Sequence, residues 1–423
     1  MAIISTPPFD INSIYRPVEY EFSIINSPFA PITYAIIEVR ISGFLIATKL
    51  QPPNRIQGTQ ALFNVDISKD LQRNLGTDYS DDAPDLPINT IFPTTFNQSL
   101  VVDNFRNVRG DIVLNITYYG LNVQNLPIEI TTESTDPITA SIAIRQITDD
   151  PSLDEYIQDG INLKKALTRR PGGILQDPNA SERTTLTETQ DLSLSFYDDG
   201  SINTFQIDAK NKRTSVGLFY ADLSALTQFA IQKTVSVGLQ SLQGLNYLTT
   251  SFAGVEVDQY GITFGDFRNP NIFTPLTETY WFDIVCAKPD SLNVIWMNDL
   301  GGGESYTFQA EVIQTLKTKG TYAKNTLSPL AGFSSIKFLS SRFKQNNVEN
   351  LVQYQCKSKN LDSNEAEYIK SLLYTVECYI EIDGKYYQAQ VEDATFDVDI
   401  NNKHFTVLEI LLTRSVDQIS MIR

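Results

Sequence analysis

At 423 residues the chain has room for roughly three domains of ~150 residues, each able to bury its own core. Charged residues make up 20 % and hydrophobic ones 42 %, which excludes a disordered chain, and the abundance of Asn, Thr, Ser, Tyr and Phe suits strands and turns. A formal net charge of −17 and a pI near 4.5 leave few cations to displace counterions from a phosphate backbone, so sequence-specific nucleic-acid binding is excluded as a class.

The chain opens on Met1-Ala2-Ile3-Ile4 and then Ser5-Thr6-Pro7-Pro8, with no basic region before an apolar run. The expectation is therefore a protein without a secretory signal, made and assembled in a cytoplasm. No apolar run approaches the ~20 residues of a membrane-spanning helix, so no membrane partner is expected. Cys286, Cys356 and Cys378 are odd in number and far apart, which argues against a disulfide framework or a four-thiolate metal site and for three reduced thiols.

Residues 1–148 read as a β-sandwich-like domain, from short alternating runs separated by turn residues. Val18, Tyr20, Phe22 and Ile24 fall on one face of a strand, and Tyr34, Ile36 and the run through Ile41 form a second. Ala61, Phe63, Val65 and Ile67 line a third, after which Ser68 offers an N-cap for a short helix over 69–74. Ile112, Leu114, Ile116 and Tyr118 alternate in a fourth. The acidic, proline-broken stretch from Asp78 to Asp85 reads as a solvated loop, with a cation or a basic partner patch as its sharper alternative.

Residues 149–190 differ. Leu153, Tyr156, Ile157, Ile161 and Leu163 give a helical rhythm that stops at Arg169-Arg170-Pro171-Gly172-Gly173, and the polar stretch Ser181-Glu182-Arg183-Thr184 follows. This is read as a linker, or as an arm that reaches toward a neighbouring subunit.

A central β-rich domain is expected over 191–331. Leu192 to Phe196 and Ile202 to Ile207 flank Asp198-Asp199-Gly200 as a hairpin, and Tyr220 to Lys233 has the spacing of a short helix. A meander follows through Val255–Val257, Ile262–Phe264, Thr279–Val285, Asn293–Met297 and Ser305–Thr315. Gly301-Gly302-Gly303 lies between apolar strands, so it predicts a tight reversal rather than a phosphate-cradling loop, which must open a helix. Both tryptophans, Trp281 and Trp296, flank this region. Tryptophans on alternating strands are more often core than a sugar-stacking platform.

The last domain, 332–423, is expected as a helix on a small antiparallel sheet. Asp362-Ser363-Asn364-Glu365 has the capping-box pattern, and Ala366, Ile369, Leu372, Leu373 and Val376 form one stripe. A strand pair about Asp383-Gly384 and a final strand from His404 to Leu412 complete it.

Candidate chemistry is sparse. His404 is the sole histidine, so every Ser/His/Asp or Cys/His arrangement must use it, and it reads instead as a strand-end imidazole. Asp397, Asp399 and Asn401 recur at period two without the glycine turn and bidentate glutamate of a calcium loop, and read as a solvated edge face. Arg109-Gly110-Asp111 is the tripeptide that integrins read, but it leads straight into a strand. No local motif nominates paired glycosidase carboxylates. No residue is thus nominated as catalytic, cofactor-binding or metal-ligating, no cofactor is expected, and the chain is read as not an enzyme.

The run Trp296-Met297-Asn298-Asp299-Leu300-Gly301-Gly302 with Tyr306-Thr307-Phe308 resembles a W-x-N-x-x-G-G…Y-x-F hairpin of virion proteins from tailed phages that infect Bacteroidetes, crAss-like phages among them. Pro17-Val18-Glu19-Tyr20-Glu21-Phe22, Tyr34 with its strand, and Phe63-Asn64-Val65-Asp66-Ile67-Ser68 are similar to their N-terminal module. The capped helix and strand–Asp-Gly–strand pattern from Asp362 to Val391 looks like their C-terminal one, while Gly303 adds one glycine to the hairpin. The resemblance implies a non-enzymatic structural protein of the virion. It would form a ring with copies of itself in the tail or portal-to-tail connector around the DNA channel, next to neighbouring tail or connector proteins. The alternative is a receptor- or glycan-binding tail protein. Heterologous contacts that close make such rings, and the acidic surplus could face a channel that DNA slides through.

The fold expected is therefore mainly β with minor α: several antiparallel β-sandwich or β-meander domains and a C-terminal helix-on-sheet α+β domain.

Overall fold

A computed structural model describes residues 2–5, 11–25, 31–41, 43–57, 59–75, 86–87, 101–103, 108–122, 124–141, 156, 163–173, 183–197, 201–212, 214–223, 232–244, 251–252, 255–269, 272–324, 343–375, 378–382, 385–398 and 406–416. The chain is mainly β with minor α, as the sequence predicts: antiparallel sheets dominate, and the described helices are short. Buried apolar residues gather in three clusters along the chain, one within 14–140, one within 166–282 and one within 292–412.

In the first region a four-stranded sheet, built on Glu19–Ile25 and Gln60–Asp66, shares its core with a six-stranded sheet built on Ile32–Ile41 and Val108–Leu121. Alternation puts Val18, Tyr20, Phe22 and Ile24 inside, opposite Ile112, Leu114, Ile116 and Tyr118. Phe22 stacks on Phe63 at 5.5 Å, and Tyr118 from the other sheet meets both rings edge-on. On Ile32–Ile41 the buried face is Ala35, Ile37, Val39 and Ile41, while Tyr34 and Ile36 lie on the half-exposed one. Ser68 is not the cap of its helix, Ser68–Leu75: its hydroxyl donates to Asp66, which also accepts the Ser68 N–H at 2.8 Å.

The central region corrects one expectation. Ser193–Tyr197 does not form a hairpin with Thr204–Asn211. The former pairs with Gln232–Ser236 in a three-stranded sheet, and the latter lies between Thr214–Asp222 and Gln259–Asn269 in a six-stranded one. All of Ser193–Tyr197 and nearly all of Thr204–Asn211 is buried, a state that a single hairpin cannot supply because one of its faces stays open. Across the layers Phe196 meets Phe264 at 4.5 Å. Of the expected helix over 220–233, residues 224–231 lie outside the described residues; at its two ends Tyr220 belongs to the strand Thr214–Asp222, and Gln232 and Lys233 belong to Gln232–Ser236.

The third region is one eight-stranded sheet, ordered Gly303–Phe308, Leu292–Met297, Cys378–Ile382, Lys385–Val398, Thr406–Val416, Phe343–Lys357 and Glu311–Lys324, with Leu86–Pro87 paired on Lys385–Val398. The expected division at 331/332 passes through this sheet. Helix Ser363–Lys370 and the 3₁₀ turn Ser371–Tyr374 lie on it through Ala366, Tyr368, Ile369 and Leu372. Asp362 caps the helix, accepting from the N–H groups of Asn364 and Glu365. The reciprocal half of the capping box is not made, since Glu365 instead accepts from the N–H and hydroxyl of Thr185.

Residues 78–85, His404, Asp399 and Asn401 lie outside the described residues, as do Asp198-Asp199-Gly200 and Asp383-Gly384. Ile382 and Lys385 are register partners on either side of that last pair. Arg109-Gly110-Asp111 and Asp397 are strand positions. Among the described residues no helix is long and apolar enough to cross a membrane.

Candidate functional site

The most organised polar constellation sits where residues 163–173 cross the Trp–Gly hairpin. Leu292–Met297 and Gly303–Phe308 pair from Leu292↔Phe308 to Met297↔Gly303. Asn298 ties the reversal, its Oδ1 accepting from the Leu300 and Gly302 N–H groups at 2.9 and 3.0 Å. Gly301 adopts φ +82, the left-handed conformation that glycine takes without steric cost. The turn is buried rather than open to solvent, because residues 163–173 pack on it: a Cβ on Gly302 would lie 1.8 Å from the Leu167 carbonyl oxygen.

The crossing segment is itself pinned. Lys164 bridges Thr277 and Gly173 bridges Thr279. The Ala166 N–H donates to Tyr280 Oη at 2.7 Å, the Leu167 N–H to the Ser195 carbonyl at 2.6 Å, and Asn298 Nδ2 to the Leu167 carbonyl at 2.8 Å. The described part of 149–190 is thus not an arm directed away from the body: Arg183–Thr187, expected within the reaching stretch, runs parallel to Tyr280–Val285 as a strand of the central sheet.

At the centre Arg170 and Glu304 form an ion pair at 3.0 Å with side chains 1 % and 0 % exposed. The other two guanidinium nitrogens donate to Thr184 Oγ1 at 2.9 Å and the Ser305 carbonyl at 2.7 Å, and the group lies 4.0 Å over the Tyr368 ring. Glu304 accepts on its other oxygen from Thr168 Oγ1, from the Arg169 N–H at 3.0 Å and from Asn298 Nδ2 at 3.3 Å. Burial by itself pulls the Arg170 pKa down, but Tyr368 and Glu304 push it the other way and win, so the group stays charged. Arg169 adds a two-pronged pair to Asp299, at 3.0 and 2.7 Å. Every nitrogen of the Arg170 guanidinium and both oxygens of Glu304 have a hydrogen-bond partner, so the cluster holds strands together.

Beside it a cleft of about 320 Å³ is lined by Lys165, Arg169, Arg170, Glu278, Asn364 and Glu367 among others. Its lining contains neither histidine nor cysteine. Glu367 pairs with Lys370, and the Glu278 side chain packs over Gly172. Among the described residues no three His, Cys, Asp or Glu gather to hold a metal.

The tryptophans are core residues, each 1 % exposed. Trp281 lies flat over Gly261, where a Cβ would come within 2.8 Å of the ring, and Lys210 Nζ sits 4.2 Å from its centroid. Trp296 is parallel to Tyr368 at 6.4 Å and donates from Nε1 to Ser371 Oγ at 2.8 Å. The rings belong to different sheets despite their closeness in sequence. Cys356 and Cys378 are free thiols inside the third core, and burial pushes Cys356 up to about 12, while Cys286 is exposed.

A second contact between the central and third regions joins Asp191 to Tyr386, whose hydroxyl donates to Asp191 Oδ2 at 2.9 Å. Burial raises the Asp191 carboxyl from 3.8 to about 6, the Tyr386 hydrogen bond opposes that, and Glu381 adds to it. A carboxyl raised on folding is stabilising below its unfolded pKa, and that stability is lost as pH climbs through the folded one. Between pH 4 and 7 the wild type is therefore expected to lose about 2–3 kcal/mol through this group. Urea unfolding of wild type and Asp191→Asn at both pH values checks this, and equal pH slopes in the two proteins would remove the assignment.

No known protein family matches the chain, and no curated protein does. A solved structure of fibronectin(III)-like modules of Clostridium thermocellum CbhA aligns over 67 % of this chain and 93 % of its own, at 8 % identity and a TM-score of 0.15, a likeness too slight to carry over topology or role.

The sequence could not single out Arg170 or Glu304, which are 134 residues apart and unmarked by any motif. The one available signal was the basic run from Lys164-Lys165 to Arg169-Arg170, followed by Pro171-Gly172-Gly173, which stops any helix.

Proposed function

We propose that the chain is a non-catalytic structural protein that packs side by side with copies of itself into a ring, in the tail or portal-to-tail connector of a tailed-phage virion. The observation that carries the assembly reading is the state of the sheet edges. Among the described residues three sheets end in strands with no further partner that bear large exposed apolar residues: Phe44, Leu45 and Leu50 on Phe44–Gln51, Leu218 and Tyr220 on Thr214–Asp222, and Ile313 and Leu316 on Glu311–Lys324. Proteins that stay monomeric blunt such edges, whereas partners that add to them gain backbone hydrogen bonds and apolar burial together. The buried Arg170–Glu304 cluster favours a rigid wall over a reactive cleft. The receptor- or glycan-binding alternative needs aromatic rings open to solvent, and neither tryptophan offers one.

The placement in a phage particle rests on the resemblance of the hairpin and flanking motifs. Native mass spectrometry of the purified chain across micromolar concentrations is expected to give one discrete multiple of 47.5 kDa, and electron microscopy of that species closed rings with an open lumen. A single monomer peak at every concentration would sink the self-assembly reading.

A further inference from the structure

Glu311–Lys324 and Phe343–Lys357 pair in unbroken antiparallel fashion from Glu311↔Lys357 to Lys324↔Phe343, with one register shift near the far end. Thr406–Val416 covers only the near half of this ribbon, since its pairing with Phe343–Lys357 ends at Asn350↔Val416. Among the described residues the far half, from Lys319↔Glu349 outward, is a two-stranded ribbon with no third strand. A lone pair of strands is marginal in water, and a surface that covers such a ribbon stabilises it.

The ribbon also reverses the charge of the protein. From residue 312 to residue 348, between Glu311 and Glu349 of the same ribbon, the sequence has six cations and no carboxylate, in a chain of net charge −17. Taking those six cations away leaves −23 on the remainder. Four of them, Lys317, Lys319, Lys324 and Lys344, are strand positions of the ribbon. The opposite pattern stands elsewhere: no Lys or Arg occurs between Arg109 and Arg145, and within that span, among the described residues, Pro127–Ser134 pairs with Val108–Leu121 alone. That strand carries Glu129 and Glu133, with the exposed Leu126 just before it.

We infer that the basic ribbon of one copy docks on the acidic Pro127–Ser134 edge of a second copy, and that this contact is the charge-steered joint between neighbouring subunits. The inference rests on the self-assembly reading and adds the surfaces that meet. Opposite charges on open strand edges fix both the partner and the register of approach, and like edges repel.

A mixture of isotopically light and heavy full-length chain, treated with a carbodiimide that joins amines to carboxylates, tests it. Expected are light–heavy cross-links from Lys317, Lys319, Lys324 or Lys344 to Glu129 or Glu133. A second variant guards against misfolding: K317Q/K319Q/K324Q/K344Q is expected to keep the wild-type circular dichroism and to shift the oligomer-to-monomer midpoint at least tenfold to higher concentration, as 0.5 M salt should do to the wild type. If the variant assembles like the wild type, or the inter-copy links avoid the ribbon, this joint is wrong while self-assembly stands. If the wild type is monomeric throughout, both readings fall. Salt-sensitive binding of a mixed-sequence DNA duplex by the wild type, lost in the variant, together with unchanged oligomerisation, would assign the ribbon to phosphate backbone instead and overturn the docking.

Discussion

Glu304→Ala is expected to lower the unfolding free energy by about 3–5 kcal/mol, because it leaves the Arg170 guanidinium buried without its carboxylate. The loss does not stop at the pair. Thr168 Oγ1, the Arg169 N–H and Asn298 Nδ2 all lose an acceptor in the same step, and each is held where water does not replace it. Glu304→Gln keeps an acceptor oxygen but not the charge, so a smaller loss of about 1–3 kcal/mol is expected. Arg170→Met combined with Glu304→Leu removes both charges and is expected to be more stable than Glu304→Ala alone, since an apolar pair carries no desolvation penalty. Denaturant midpoints at constant slope measure all three. A Glu304→Ala protein within 1 kcal/mol of wild type would mean that solvent reaches the guanidinium and that the cluster is not the bolt described.

Gly302→Ala is expected to cost about 3 kcal/mol, at the upper end for overpacking, because its Cβ meets a backbone oxygen, that of Leu167, which cannot rotate away. Residues 163–173 would have to back off the hairpin, which loosens the Asn298–Leu167 contact and the geometry of Arg170 on Glu304. Gly43→Ala isolates the other effect of a glycine substitution. Gly43 has φ +83 and nothing within 4 Å of a built Cβ, so only backbone strain of about 1 kcal/mol applies. Thermal or urea unfolding of the two variants should separate them by roughly 2 kcal/mol. Equal losses would show that the close approach of Leu167 is not a constraint.

Much of the fold was legible because alternation is a local property. Val18 to Ile24, Ala61 to Ile67 and Ile112 to Tyr118 each bury the face their period-two pattern marks, and the glycine run at 301–303 reverses the chain between the strands on either side of it. The helix after Asp362 follows from a cap that acts within three residues. Strand partners were less legible. The Asp198-Asp199-Gly200 signal suggested pairing across it, yet Ser193–Tyr197 and Thr204–Asn211 went to different sheets, since a turn signal fixes where the chain bends and not which edge it meets. Tyr220, at the start of the apolar spacing that reads as a helix, belongs instead to a strand in which Gln206 is its register partner. The candidate site was the least legible part. Glu365 looked like half of a capping box and proved to hold Thr185, a residue 180 positions away that no local pattern connects to it.

By itself the sequence determined the class of the protein: β periodicity, turn chemistry and the acidic balance are carried by neighbours a few residues apart or by simple counts, and they act before any long-range contact forms. The tertiary structure alone decided which strands share a sheet, that the two tryptophans lie in different sheets, and that Arg170 meets Glu304. Those outcomes depend on contacts between residues 39 to 134 positions apart, whose energies come from mutual burial and hydrogen bonds that exist only once the sheets have packed.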